Sequence, residues 1–127
     1  DGIHLGQKDR SCSDAKKKFG QKFIVGISCS DSYELYVNAK KEGADYVAFG
    51  PTFKTQNKRK KKIQFDKILS IKDKINLPYV LIGGINHSNI KNLNILNPNC
   101  VAIIDSLWNF NLGPVKSAFK YKEILEI

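Results

Sequence analysis

The chain has 127 residues, 42% of them apolar and 26% charged, which by length and composition is one soluble globular domain and excludes a disordered, collagen-like or disulfide-scaffold protein. Lysine and arginine number 21 against 12 acidic residues, and the resulting net charge of +9 makes anions the natural ligands. More than half of that surplus sits in one run, Lys58-Arg59-Lys60-Lys61-Lys62.

Short runs rich in β-branched and aromatic residues alternate with segments of helical period, the pattern of βαβ units around a parallel sheet. The first strand is predicted over residues 2–5 and its helix over 13–19. A second strand over 23–28 leads to a helix over 32–42, capped by Asp31 or Ser32, with Leu35, Tyr36 and Ala39 on its buried side and Gly43 at its end. A third strand over 46–49 precedes a long loop and a helix over 65–75, whose apolar stripe is Ile68, Leu69, Ile71 and Ile75 and which Pro78 stops. A fourth pair spans 79–82 and 88–96, and a fifth 101–104 and 115–127, with Trp108 and Phe110 packing the last helix onto the sheet. Five such units build either an open doubly wound sheet or part of a (β/α)8 barrel, and a whole barrel needs ~200 residues or more. No stretch approaches the ~18 apolar residues of a membrane span, and residues 1–4 do not resemble a secretory signal. With three separate cysteines, Cys12, Cys29 and Cys100, and no C-x-x-C pair, the expected compartment is the reducing cytoplasm. The chain contains no methionine and opens in strand-like sequence, as a processed product or a piece of a longer chain does.

In both architectures ligands bind at the carboxyl ends of the strands, so the chemistry belongs in the loops that follow them. Gly83-Gly84 precedes a helix start, where bare backbone N–H groups and the helix dipole suit a phosphate; a tight βα turn requires the same glycines, and both readings stand on these residues alone. The loop over 50–63 exceeds the usual ~2–6 residues and combines Thr52, Thr55 and Lys58, which suits a lid over a phosphate or diphosphate. Most of the Lys58 to Lys62 run is read as solvated. Nucleic acid is a weak alternative, since no aromatic residue interleaves with the run. Asp9 is either a magnesium ligand or a helix cap. His4 is read as a packed core residue, His87 as a surface residue, and the cysteines as inert.

In order, these segments resemble the thiamine phosphate synthase family and its relative the thiazole tautomerase. The matching pieces are Asp1-Gly2-Ile3-His4-Leu5-Gly6-Gln7-Lys8-Asp9, Val25-Gly26-Ile27-Ser28, the segment from Gly43-Ala44-Asp45 through Phe53-Lys54-Thr55, Pro78-Tyr79-Val80-Leu81-Ile82-Gly83-Gly84-Ile85, and Val101-Ala102-Ile103-Ile104. The resemblance implies a (β/α)8 TIM barrel of which residues 1–127 form about the last five units as a single domain. It implies a magnesium-dependent transferase that joins hydroxymethylpyrimidine diphosphate to thiazole phosphate and releases pyrophosphate. By the same resemblance, Asp9 would bind Mg2+, Ser28 and Lys58 the diphosphate, Thr55 a phosphate oxygen, and Gly83, Gly84 and Ile104 the thiazole phosphate. Lys58 and Ser28 would be the catalytic groups.

The sequence departs from the family pattern at several points. Asp105 stands where the family has a serine beside the phosphate, with Ser106 as a possible substitute. Asn57 replaces a threonine or serine, residues 59–63 replace a glycine-rich stretch, and Ser30 stands where the tautomerase has a histidine. The family's amino-terminal part, with a basic pyrimidine-binding residue and an Asn-Asp pair carrying the second magnesium ligand, has no counterpart in these residues. A tautomerase-like enzyme and a non-catalytic phosphate-binding paralogue are therefore the alternatives, and self-association stays open.

Overall fold

A computed structural model describes residues 1–54 and 65–126. Five parallel strands form one sheet: β1 Gly2–Leu5, β2 Ile24–Ser30, β3 Tyr46–Phe49, β4 Tyr79–Ile82 and β5 Cys100–Ala102. The helices are α1 Cys12–Phe19, α2 Tyr33–Lys41, α3 Phe65–Ile71, α4 Asp105–Trp108 and α5 Pro114–Leu125, with 3-10 segments at Lys72–Lys74 and Ile90–Leu96. The strand order is β1-β2-β3-β4-β5. A doubly wound sheet reverses its order at a switch point, whereas unbroken sequential pairing is the winding of a (β/α)8 barrel, so the topology decides what periodicity leaves open.

Alternation within the strands separates two faces. Val25, Ile27 and Cys29 of β2, Val47 and Phe49 of β3, and Tyr79 and Leu81 of β4 are buried in one core with Cys12, Ala15, Tyr36, Ala39, Ile68 and Leu93 of the helical layer. Burying a side chain such as Leu81 stabilises the fold by about 1.5–3 kcal/mol. The other face, interior in a barrel, carries His4, Gly26, Ser28, Tyr46, Ala48, Val80 and Ile82.

Local chemistry sets the element ends. Ser11 Oγ caps α1 by accepting from Asp14 N at 3.1 Å, and Ser32 Oγ caps α2 by accepting from Leu35 N at 3.2 Å. Asp31, the other predicted cap, instead pairs with Lys67 at 3.1 Å. Gly43 ends α2 with φ +90°. The segment predicted as an α-helix over 88–96 is a 3-10 helix: Asn89 accepts from Asn86 N at 2.8 Å and donates to Gly84 O at 2.9 Å, a local closure that competes with an α-helical start. Strand β5 ends at Ala102 rather than at residue 104, because the chain turns at once into α4, a helix the periodicity did not reveal. Trp108 is exposed and does not pack α5 onto the sheet, and Leu69 also faces outward.

One ion pair ties the amino ends of the strands to the helical layer. Lys16, 6% exposed, donates to Asp45 Oδ2 at 2.6 Å and to the carbonyls of Phe23 and Gln21 at 2.8 and 3.2 Å. The same Oδ2 accepts from Val25 N at 2.7 Å. Burial by itself raises the Asp45 pKa, but the hydrogen bonds from Lys16 and Val25 and the Lys16 charge outweigh it and hold the carboxyl below its ordinary value. The stabilisation is therefore present above about pH 4 and fades as pH falls through the depressed pKa. Asp45→Asn is expected to cost about 1–2 kcal/mol in urea unfolding at pH 7, discounted for the partly exposed carboxylate. The gap to the parent should narrow below about pH 4.

Candidate functional site

The carboxyl ends of all five strands lie along one sheet edge, which brings Asp9, Ser28, Pro51 to Lys54, Gly83-Gly84 and Ile104-Asp105 to the same side of the molecule. Thr55 and Lys58, together with the basic run through Lys62, lie outside the described residues.

Asp9 is exposed, and its Oδ2 accepts from Gly6 N at 2.6 Å, so the carboxylate closes the loop after β1 rather than capping α1. That bond orients the carboxylate of an exposed residue. A single hard carboxylate fits the protein's share of a magnesium ion that is held mainly by substrate phosphates. Among the described residues no group of three His, Cys, Asp or Glu is arranged to hold a metal without such a substrate.

Ser28 is gripped from two sides. Its Oγ lies 2.9 Å from His4 Nε2, and its carbonyl accepts from Gln7 Nε2 at 2.6 Å. His4 is thus not a packed core residue: it stands on the polar face with Nδ1 3.0 Å from the Tyr46 hydroxyl. Partial burial pushes the imidazole pKa down, against the opposing charge of Asp9. No sequence pattern marks this cluster, because its members come from three strands and meet only through the register. Cys29 has no role in this chemistry, since burial pushes its thiol up to about 12.

The turn after β4 has the geometry of a backbone cradle. Gly83 and Gly84 adopt φ +89° and +68°, and their N–H groups have no protein acceptor among the described residues. The turn is clamped to the loop after β3: Thr52 N and Oγ1 donate to Ile82 O at 2.8 and 2.9 Å, and Phe53 N donates to Gly83 O at 3.0 Å. Ile104 ends the β5 loop, and its carbonyl accepts from Leu107 and Trp108 N–H at 3.1 and 3.0 Å. Asp105 opens α4 just past the end of β5, and its Oδ1 accepts from Asn109 Nδ2 at 2.7 Å.

Ser106 is spent elsewhere. Its hydroxyl donates to Ile85 O at 2.7 Å and so accepts from the Tyr121 phenol at 2.5 Å. Ser117 Oγ donates to Ser106 O at 2.8 Å, which leaves His87 Nε2–H to donate to Ser117 at 3.1 Å. The His87 ring stacks on Tyr121 at 4.0 Å and meets Phe110 edge-on at 5.0 Å. His87 is therefore half-buried in a polar network under the glycine turn rather than a surface residue. Burial pushes the Tyr121 phenol pKa up, with the Ser106 bond opposing.

A surface concavity of about 400 Å3 lies at the other end of the sheet, lined by Asn76, Pro78, Tyr79, Leu96, Asn97 and Asn99. Three of its polar side chains serve the fold: Asn76 bonds the Tyr36 hydroxyl, Asn99 Oδ1 accepts from Tyr79 N, and the Tyr79 hydroxyl donates to Leu96 O. The strand carboxyl ends are the better site. At Gly84 an added Cβ would come within 2.7 Å of Lys54 O and 2.8 Å of Phe53 O, whereas at Gly43 it would meet nothing. Gly84→Ala should cost about 1–3 kcal/mol in thermal unfolding, and more than Gly43→Ala, which adds only the positive-φ strain.

Comparison with known proteins agrees with this geometry. The family model described as thiamine monophosphate synthase matches residues 1–107. The thiamine-phosphate synthase of Pelagibacter ubique is 42% identical over 110 residues, covering 86% of this chain and 53% of its own length. That of Rhodospirillum centenum is 34% identical over 126 residues, 98% of this chain and 61% of its own. The solved thiamine phosphate pyrophosphorylase of Pyrococcus furiosus superposes with a TM-score of 0.85 at 28% identity, over 99% of this chain and 59% of that one. A 3-hexulose-6-phosphate synthase structure, at 13% identity and a TM-score of 0.70, shares the fold alone. The chain thus spans little more than half the length of these three relatives, and the match runs through the loops that carry the site as well as through the strands. It belongs to the thiamine monophosphate synthase family.

Proposed function

We propose that residues 1–127 are the carboxyl-terminal five βα units, one domain, of a thiamine-phosphate synthase. The observation that supports this best is the meeting of Asp9, Ser28, Gly83-Gly84 and Ile104-Asp105 at one sheet edge, in the order of the family's own loops. The reaction transfers the hydroxymethylpyrimidine group from its diphosphate to thiazole phosphate. The bond from the methylene carbon to the diphosphate oxygen breaks, pyrophosphate leaves, and the thiazole nitrogen forms the new bond to carbon.

Such a reaction needs anion stabilisation more than proton transfer. Ser28 donates a hydrogen bond to the diphosphate, Lys58 offsets the charge that grows on the leaving group, and Thr55 binds a phosphate oxygen. The N–H groups of Gly83, Gly84 and Ile104 hold the thiazole phosphate, next to a short helix of the kind that follows the last strand of many phosphate-binding barrels. Mg2+ bound through Asp9 would supply charge compensation on the diphosphate. The reading also places the protein in the cytoplasm, where phosphorylated metabolites and free thiols coexist. No helix among the described residues is long and apolar enough to cross a membrane.

One observation favours a second reading, a phosphate-binding paralogue without turnover. Asp105 sets a carboxylate beside the expected phosphate, and Ser106 cannot replace the family serine while its hydroxyl is held by Ile85 and Tyr121. Ser30 in place of a histidine speaks against a tautomerase.

The test is pyrophosphate release by the full-length protein given both substrates and Mg2+. Turnover that falls about 100–1000-fold in Lys58→Ala supports the synthase. Binding of thiazole phosphate without any turnover would establish the paralogue instead. Asp105→Ser is expected to tighten thiazole phosphate binding roughly fivefold by calorimetry, the effect of removing one like charge at about 4 Å in solvent.

A further inference from the structure

Gly26 pairs with His4 of β1 on one side and with Tyr46 of β3 on the other, so the three residues form one row across the polar face. Gly26 has no side chain, and Tyr46 lies across it; a Cβ at Gly26 would overlap the Tyr46 ring. The phenol thereby reaches His4 two strands away, with Tyr46 OH 3.0 Å from Nδ1 and the ring centroids 5.5 Å apart. The other ring nitrogen, Nε2, is 2.9 Å from Ser28 Oγ, one step further along the same face. Gln7 holds the Ser28 carbonyl separately, so backbone and hydroxyl are both fixed.

We infer that His4, backed by Tyr46, is a positioning residue that holds the Ser28 hydroxyl as a hydrogen-bond donor toward the anionic substrate. This rests on the reading of Ser28 as a diphosphate ligand. A neutral imidazole has one donor and one acceptor nitrogen, so the relay has two consistent directions. In one, Tyr46 O–H donates to Nδ1, Nε2–H donates to Ser28 Oγ, and the serine proton is available to an anion. In the other, Ser28 donates to Nε2, Nδ1–H donates to Tyr46, and the serine presents only lone pairs to the substrate. A phosphate oxygen accepts and does not donate, so it selects the first direction and with it the Nε2–H tautomer. The identity of residue 4 and the donor state of residue 28 are then one property.

Two measurements on the full-length protein test this. With 15N-labelled histidine and saturating magnesium pyrophosphate, His4 should show the Nε2–H tautomer with Nδ1 unprotonated; an Nδ1–H tautomer in the complex overturns the inference. In steady-state kinetics, His4→Ala should lower kcat/KM for the pyrimidine diphosphate about tenfold and weaken pyrophosphate inhibition about tenfold, leaving KM for thiazole phosphate unchanged. His4→Gln, which keeps an N–H donor near the Nε2 position, should recover most of the loss. Tyr46→Phe keeps the ring over Gly26 and should give a smaller loss of the same kind. Equal effects on both substrates, or no rescue by glutamine, would make His4 merely structural. Turnover by the parent with the wrong tautomer would leave the synthase reading intact and remove only this inference. Failure of the parent both to bind pyrophosphate and to turn over would remove both.

Discussion

Parallel pairing in unbroken chain order is the constraint on which the rest of the structure depends. Each strand pairs with the next in sequence, so every connection crosses the same face of the sheet and returns to the same end. Helices then cover one face, and the apolar residues of β2, β3 and β4 must alternate toward them. The opposite face is released from that duty. It is there that His4, Ser28 and Tyr46 stand in register, and it is the shared carboxyl edge that gathers five otherwise unrelated loops.

The two ends of the sheet are held by different means. At the amino ends, Asp45 gathers Lys16 and the Val25 N–H on a single oxygen. At the carboxyl ends the ties around the glycine turn are neutral: Thr52 to Ile82, Phe53 to Gly83, and the chain from Tyr121 through Ser106 to Ile85. Neutral ties suit an anion site, because a fixed carboxylate there would repel the ligand. Of the carboxylates at that end, Asp9 suits a metal and Asp31 is paired with Lys67, whereas Asp105 accepts from the neutral Asn109 amide, and so it separates a synthase from a phosphate-binding paralogue more sharply than any other described residue. Beneath it, the His87, Ser117 and Tyr121 network joins the glycine turn, α4 and α5 into one unit without using a charge.

How much of this was legible depended on whether a residue's role is local. Tyr46–Phe49 and Tyr79–Ile82 are continuous apolar runs between turn residues, and they form strands with the bounds the pattern predicts. Ser32 and Gly43 likewise act through near neighbours, and they end α2 as expected. The glycine turn and Asp9 were visible because they follow strands in a fold whose ligands bind there. The segment over 88–96 has a helical apolar period in Ile90, Leu93 and Leu96, yet asparagine side chains take over the backbone groups at its start and the tighter 3-10 winding results. His4 and His87 were misread for a different reason. A histidine in an apolar strand looks like core, and one beside a helix start looks like surface, but their hydrogen-bond partners lie 24 and 30 residues away or further. Only the register of the sheet and the docking of α5 reveal them. Trp108 shows the converse, since a large aromatic near a final helix suggests packing and α4 turns it outward.

An anion site at the carboxyl ends of the strands is what every proposed role of these loops requires. Amide chemical-shift mapping of the full-length protein with magnesium pyrophosphate and then thiazole phosphate tests that most directly. The expected result is a set of shifts along the carboxyl edge, at Ser28 with pyrophosphate and at Gly83, Gly84 and Ile104 with thiazole phosphate. Shifts confined to Asn76, Asn97 and Asn99 at the opposite end, or none at either end, would contradict it.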